Sequence, residues 1–154
     1  MAEHGPVVLR VCRALLAPAD ADDAWSETFL AALRAYPRLT EGSNVRAWLV
    51  TIAHRKAIDQ LRSATRRTRT TDALRGLPPA GVPEPSVHDD ELRAAVAALP
   101  TKQRLAVVHR YLADLSYPDI AIALECSEAA ARRSASDGIA ALRRATRRTE
   151  GDAP

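Results

Sequence analysis

Two rows of basic side chains are spaced so that a helix would present each row on one face. In the first row, Asn44, Thr51, Arg55, Asp59, Arg62 and Arg66 recur at intervals of three, four and seven, with Trp48 at the edge. Val45, Leu49, Ile52 and Ala53 form the apolar stripe on the other side. Guanidinium groups in a row suit phosphates, and an indole beside them offers a ring on which an unpaired base stacks. In the second row, residues 127–148 carry Arg132, Arg133, Arg143, Arg144, Arg147 and Arg148 against only Glu128 and Asp137. Ala131, Ala135, Ile139 and Leu142 share the opposite face. This row suits phosphate contacts and bidentate reading of guanine. Plainer readings stay open for both: a solvated basic face, and a tryptophan that caps the edge of a core.

The elements that must position these rows are legible as helices. In the segment Leu115–Glu128, Ser116 and Asp119 have capping-box spacing, and Pro118 is tolerated in a first helical turn. Ile120, Ala123 and Leu124 lie on one face. Ser127 then offers a new N-cap, and Glu128 favours the positive end of the helix that carries the second row. Two helices joined by so short a turn make a helix-turn-helix, whose second helix can enter a major groove. An ordinary helical hairpin is the alternative. Upstream, the spacing predicts helices over about 6–16, 21–35 and 44–63. In the second of these, Trp25, Phe29 and Leu33 form a stripe, and Asp20, Asp22, Asp23 and Glu27 crowd the start.

Composition narrows the function classes. The chain has 154 residues, 47% hydrophobic and only 4% aromatic, with a net charge of +3. With little glycine and no strand-type alternation, it reads as all-α: two small helical domains joined by a flexible linker, the C-terminal one a helix-turn-helix. No apolar run reaches 18 residues and no secretory pattern opens the chain, so a cytoplasmic protein without membrane insertion is expected. Cys12 and Cys126 lie far apart with no CxxC, and are expected to be packing thiols. His4, His54, His88 and His109 are scattered. No paired carboxylates, metal set or nucleophile stands out, so no catalytic residue, metal or cofactor is expected.

Residues 65–87 separate the two helical blocks. Arg66, Arg67, Arg69 and Arg75 load the start of this stretch, and Pro78, Pro79, Pro83 and Pro85 break any helix at its end. Fully extended it would reach roughly 75–80 Å, about two turns of B-DNA at ~34 Å each. The expected organisation is a first domain over 1–64, a linker over 65–87, a second domain over 88–149 and a tail over 150–154 too short for a regulatory domain.

At this point two stretches resemble a known family. Asp22–Leu30 followed by Ser43–Arg55 looks like the second conserved region of the extracytoplasmic-function (ECF) sigma factors of bacterial RNA polymerase. Leu99–Val108, Arg110–Leu112 and the helix-turn-helix resemble the fourth region. The resemblance implies a transcription initiation factor, bound as a monomer to core polymerase through its clamp helices and flap, with promoter DNA and an anti-sigma factor as further partners. It places Asp22, Asp23, Glu27, Phe29 and Leu30 on the clamp helices. It places Asn44, Arg46, Trp48, Arg55, Asp59 and Arg62 on the melted −10 strand, with Thr40-Glu41-Gly42-Ser43 shaping a pocket for a flipped base. Ser127, Glu128, Arg132 and Arg133 fall to the −35 element.

The chain departs from the family pattern in its last helices. Glu125 stands where a turn glycine is usual, Ala129, Ala130 and Ala131 are poor base readers, and Asp137 replaces a basic position. Modest −35 specificity is the expectation, resting on phosphates and DNA shape. A stand-alone helix-turn-helix regulator and a sigma-like docking module that reads no promoter are the competing readings.

Overall fold

The computed structural model describes residues 3–70 and 87–151, with backbone alone for 68–70 and 87–89. Seven α-helices carry the described chain: α1 Gly5–Leu15, α2 Pro18–Ala35, α3 Val45–Thr70, α4 Val87–Ala98, α5 Thr101–Val107, α6 Tyr117–Leu124 and α7 Glu128–Gly151. A 3-10 turn, Tyr36–Arg38, follows α2, and a π turn, Val108–Leu112, follows α5. The helix ends differ from the sequence expectation for local reasons. Pro18 occupies the first turn of α2, where its fixed φ is preorganised, so α2 starts before Ala21. α3 continues past Ser63 to Thr70 because nothing in Ala64–Thr70 breaks a helix. The expected linker therefore has residues 65–70 inside α3. Residues 71–86, with Arg75 and the four prolines, and the last three tail residues lie outside the described chain.

In the first half, α1, α2 and α3 pack around Val8, Cys12, Ala21, Ala24, Phe29, Ala32, Leu49 and Ala53. The Trp25 indole donates to the Gly5 carbonyl at 3.0 Å and ties α2 to the start of α1. Cys12 is buried, which pushes its thiol up to about 11, whereas Cys126 is exposed and is not the packing thiol the sequence led one to expect.

In the second half, α7 lies across α5 and α6. Ala131, Ala135 and Gly138 form its buried stripe, with Ile139 and Leu142 half-buried farther along. Gly138 is there for close approach: a Cβ would meet Val107 Cγ2 at 2.5 Å and the Gln103 carbonyl oxygen at 3.2 Å.

The two halves share a core. Val11 and Leu15 of α1 and Ala47, Val50 and Ala57 of α3 belong to one buried cluster with Leu105, Val108, Ala113, Leu115, Ile120 and Ala131. α1 touches the π turn and α4, and α3 touches α6. α3 thus carries a second apolar stripe at 47, 50, 54 and 57, interrupted by His54, beside the stripe that faces α2.

Gly138→Ala is expected to cost about 1–3 kcal/mol, the usual penalty for forcing an extra carbon into a packed crossing. Urea unfolding of the two proteins measures it.

Candidate nucleic-acid interface

The helix-turn-helix is built by local hydrogen bonds. Ser116 caps α6: its Oγ accepts from the Asp119 amide at 3.3 Å and donates to the Asp119 carboxylate at 2.9 Å. α6 ends with Glu125 in the left-handed region at φ 53°, and the Cys126 amide donates to the Ala121 carbonyl at 3.0 Å. This is a Schellman-type stop, made here without the glycine that would adopt it freely. Ser127 then caps α7, its Oγ accepting from the Ala130 amide at 3.1 Å. Three of the four predicted −35 residues therefore have structural partners. Ser127 holds the helix start, and Glu128 pairs with Arg132 at 2.8 Å.

Arg132 is positioned by more than this ion pair. Its guanidinium lies 4.4 Å from the ring centroid of Tyr117, and that of Arg110 lies 5.0 Å from the same ring. Arg110 also donates to the Leu115 carbonyl at 2.9 Å. An aromatic ring thus gathers two cations from different elements at the start of α6. Neither Tyr117 nor Arg110 stood out by spacing, because they meet only through the fold. Arg133 is exposed on the outer face of α7, as are Arg143, Arg144, Arg147 and Arg148.

On α3, Arg55, Asp59 and Arg62 lie exposed on the predicted polar face. Asn44 caps the helix, its Oδ1 accepting from the Ala47 amide at 3.1 Å. Trp48 is half-buried against the first core, with its ring centroid 6.5 Å from that of Tyr36. Between Tyr36 and the turn before α3 lies a hollow of about 380 Å³, lined by Tyr36, Leu39, Thr40, Glu41, Gly42, Ser43 and Val45; Trp48 is not part of its lining. Gly42 holds the turn with φ 83°, and Ser43 Oγ donates to the Thr40 carbonyl at 2.6 Å. Arg46, by contrast, is half-buried and faces the second half, 3.9 Å from the Asp114 carboxylate.

On α2, Asp22, Asp23, Glu27 and Leu30 are exposed as the clamp-facing assignment requires. Phe29 is not: it is 5% exposed and stacks 4.9 Å from Trp25 inside the core. That assignment is corrected, since a side chain so buried cannot reach a partner without unfolding α2. Leu33, expected in the same inward stripe, is instead 63% exposed, and with Leu30 and Tyr36 it makes an outward apolar ridge that periodicity alone did not separate from the core.

His54 and His109 are not scattered. Their rings meet edge to face at 5.1 Å between α3 and the π turn. His109 is fully buried, and neither of its ring nitrogens has a hydrogen-bond partner; His54 Nδ1 has none either. Burial, reinforced by His54, holds His109 down to about 3, while the Leu105 carbonyl pulls weakly the other way without reaching hydrogen-bond geometry. His54 is also lowered, first by burial, then by Arg55, against an opposing pull from Glu125. An unpaired buried polar group costs roughly 1–3 kcal/mol, so this contact opposes the apolar packing around it. Among the described residues no group of three or more His, Cys, Asp or Glu side chains is placed to hold a metal. Nor, among them, is any helix long and apolar enough to cross a membrane.

The sequence profile of sigma-70 region 2 matches residues 1–67, and that of sigma-70 region 4 matches residues 89–142. The chain belongs to the ECF group of sigma-70 factors. Over 112 residues it is 38% identical to the probable RNA polymerase sigma-C factor of Mycobacterium bovis and to the ECF RNA polymerase sigma factor SigC of Mycobacterium tuberculosis, covering 69% of this chain. The ECF sigma factor EcfG of Rhodopseudomonas palustris is 32% identical over 109 residues. The chain spans 59% of the length of the two mycobacterial relatives and 60% of the EcfG protein. Two solved structures share its fold. One is the sigma factor RpoE bound to the anti-sigma factor NepR from Bartonella quintana, with TM-score 0.80, 22% identity and coverage of 93% of this chain and 91% of that one. The other is CnrH with the cytosolic domain of CnrY, with TM-score 0.71, 22% identity and coverage of 99% and 86%. Region 2 of this ECF chain is therefore α1–α3, and region 4 is α4–α7.

In region 4, a double-substitution cycle of Tyr117→Ala and Arg132→Ala is expected to give a coupling of about 0.5–1 kcal/mol, the size of an exposed cation–π contact. Chemical denaturation of the four proteins reads it.

Proposed function

We propose that this chain is a sigma subunit: it binds core RNA polymerase, directs it to promoters with two upstream elements and holds the −10 strand open. The observation that carries the reading is the ordered match of regions 2 and 4, each bearing its exposed cationic helix face. The exposed acids of α2 with Leu30, Leu33 and Tyr36 give an amphipathic surface suited to the clamp helices. On α3, Arg55 and Arg62 run along the strand backbone, Tyr36 borders the hollow into which a flipped base fits, and Trp48 lies beyond Tyr36 as a stacking platform. Asn44 and Asp59 flank that path, and Arg46 joins it once released from Asp114. Region 4 fixes the upstream register through Arg133 and the Tyr117-gathered Arg132, mostly by backbone contacts, and other contacts fall to the polymerase flap. The cationic contacts make binding weaken with salt. An anti-sigma factor is a further partner that the fold accommodates. No bond is made or broken by this subunit, so its role is recognition, with the first domain reaching the end of α3 near residue 70 and the second spanning about 88–149.

Run-off transcription with core polymerase on a promoter library tests the reading. The expected result is new transcripts that share two elements at fixed spacing; core binding without transcripts favours a docking module, and neither favours a stand-alone regulator. On a promoter so identified, Trp48→Ala is expected to lower strand opening, read by permanganate footprinting, more than closed-complex binding. Equal loss of both would return Trp48 to a packing role.

A further inference from the structure

One polar pair lies within the apolar contact between regions 2 and 4. Val50 and Ala57 on α3, and Val108, Ala113 and Leu115 beyond it, are fully or almost fully buried, yet His54 and His109 stand among them with three ring nitrogens unpaired. Beside the pair, the Asp114 carboxylate lies 3.9 Å from Arg46, and Asp114 itself sits at φ 54°, a left-handed backbone that a non-glycine residue adopts at a cost. The unpaired imidazole nitrogens burden the contact between halves, and solvent would pair them when the halves part.

We propose that the His54–His109 contact is a releasable latch: with both rings neutral, region 4 closes over α3 and Arg46 stays on Asp114, and a proton on His109, the fully buried ring, opens the two halves. A charge on His109 would be fully desolvated, and neither of its ring nitrogens has a hydrogen-bond partner in the closed form. The charged groups acting on the pair are Arg55, on the same helix as His54, and Glu125, after α6. The elements packed around it also bring His4 before α1, Arg10 and Arg13 on α1, Asp20, Asp22, Asp23, Glu27 and Arg34 on α2, Lys56, Asp59 and Arg62 on α3, Lys102 and Arg104 on α5, and Arg110 on the π turn. Burial is the main influence that disfavours protonation of both rings in the closed form, helped at His54 by Arg55. Glu125, after α6, opposes it at His54, while Asp114 faces Arg46 and Asp119 is bonded to Ser116. Because the closed form depresses the histidine affinities for protons, it is favoured above the ordinary histidine range and loses ground as pH falls below it.

The test uses the full chain alone, without polymerase or DNA, so its outcome is independent of the sigma reading. Cys126 is exposed and Cys12 buried, so a fluorophore pair on Cys126 and on an Arg34→Cys variant reports the separation of the halves by energy transfer. Between pH 7.5 and 5.5 the ratio of open to closed chains is expected to rise about 10-fold, the effect of one histidine with an ordinary affinity when open. His109→Leu, with its fold checked by circular dichroism, is expected to stay closed across this range, whereas His4→Gln and His88→Gln keep the wild-type response. His109→Met replaces the leucine variant should that one not fold. A wild-type chain whose transfer does not change with pH, or an unchanged response in the folded His109 variant, overturns the proposal.

Discussion

The rest of the molecule depends on how one helix divides its surface. α3 has to be apolar toward α2, apolar again toward region 4, and cationic on what remains. Its first stripe, with Leu49 and Ala53, closes the region 2 core. Its second, with Ala47, Val50 and Ala57, enters a core to which both regions contribute. Small residues dominate this second stripe, which lets the halves approach closely while committing little area. Burial of a Val or Leu side chain is worth ~1.5–3 kcal/mol, so Val50 and Leu115 supply much of the attraction, and the unpaired histidines between them take part of it back. The contact is close but not strong.

The same economy of side chains shapes region 4. α7 crosses α5 where Gly138 permits it, and α6 stops at a left-handed Glu125. These two backbone requirements fix the angle at which α7 presents its arginines. Tyr117 then fixes one of them by its ring face. A recognition helix poor in base-reading side chains near its start still holds a guanidinium in a defined place, which suits contacts to backbone and shape more than to base edges.

Much of this was legible in the sequence because it follows from local rules. The caps at Ser116 and Ser127 and the exposed arginines of α3 are short-range patterns and stand where spacing put them. So does the start of the α7 stripe, Ala131 and Ala135, although Gly138 is buried in place of Ile139 and Leu142. The helix-turn-helix followed even though Glu125 replaces the favoured glycine, since burial of Ile120 and Ala131 outweighs one strained residue. What spacing could not give is which of two apolar faces meets which neighbour. Trp25, Phe29 and Leu33 form one stripe on a wheel, yet the fold buries Phe29 and leaves Leu33 exposed. The contacts His54–His109, Arg46–Asp114 and Tyr117–Arg110 join residues distant in sequence or of unremarkable spacing, so no single-helix pattern could announce them.

A core shared through α3 makes regions 2 and 4 melt together, and scanning calorimetry of the full chain at pH 7.5 tests this most directly. Leu115→Ala should cost about 2–5 kcal/mol, and it and Val50→Ala, on opposite sides of the contact, should lower one common transition. Two separate transitions, one moved only by Val50→Ala and the other only by Leu115→Ala, would contradict a shared core.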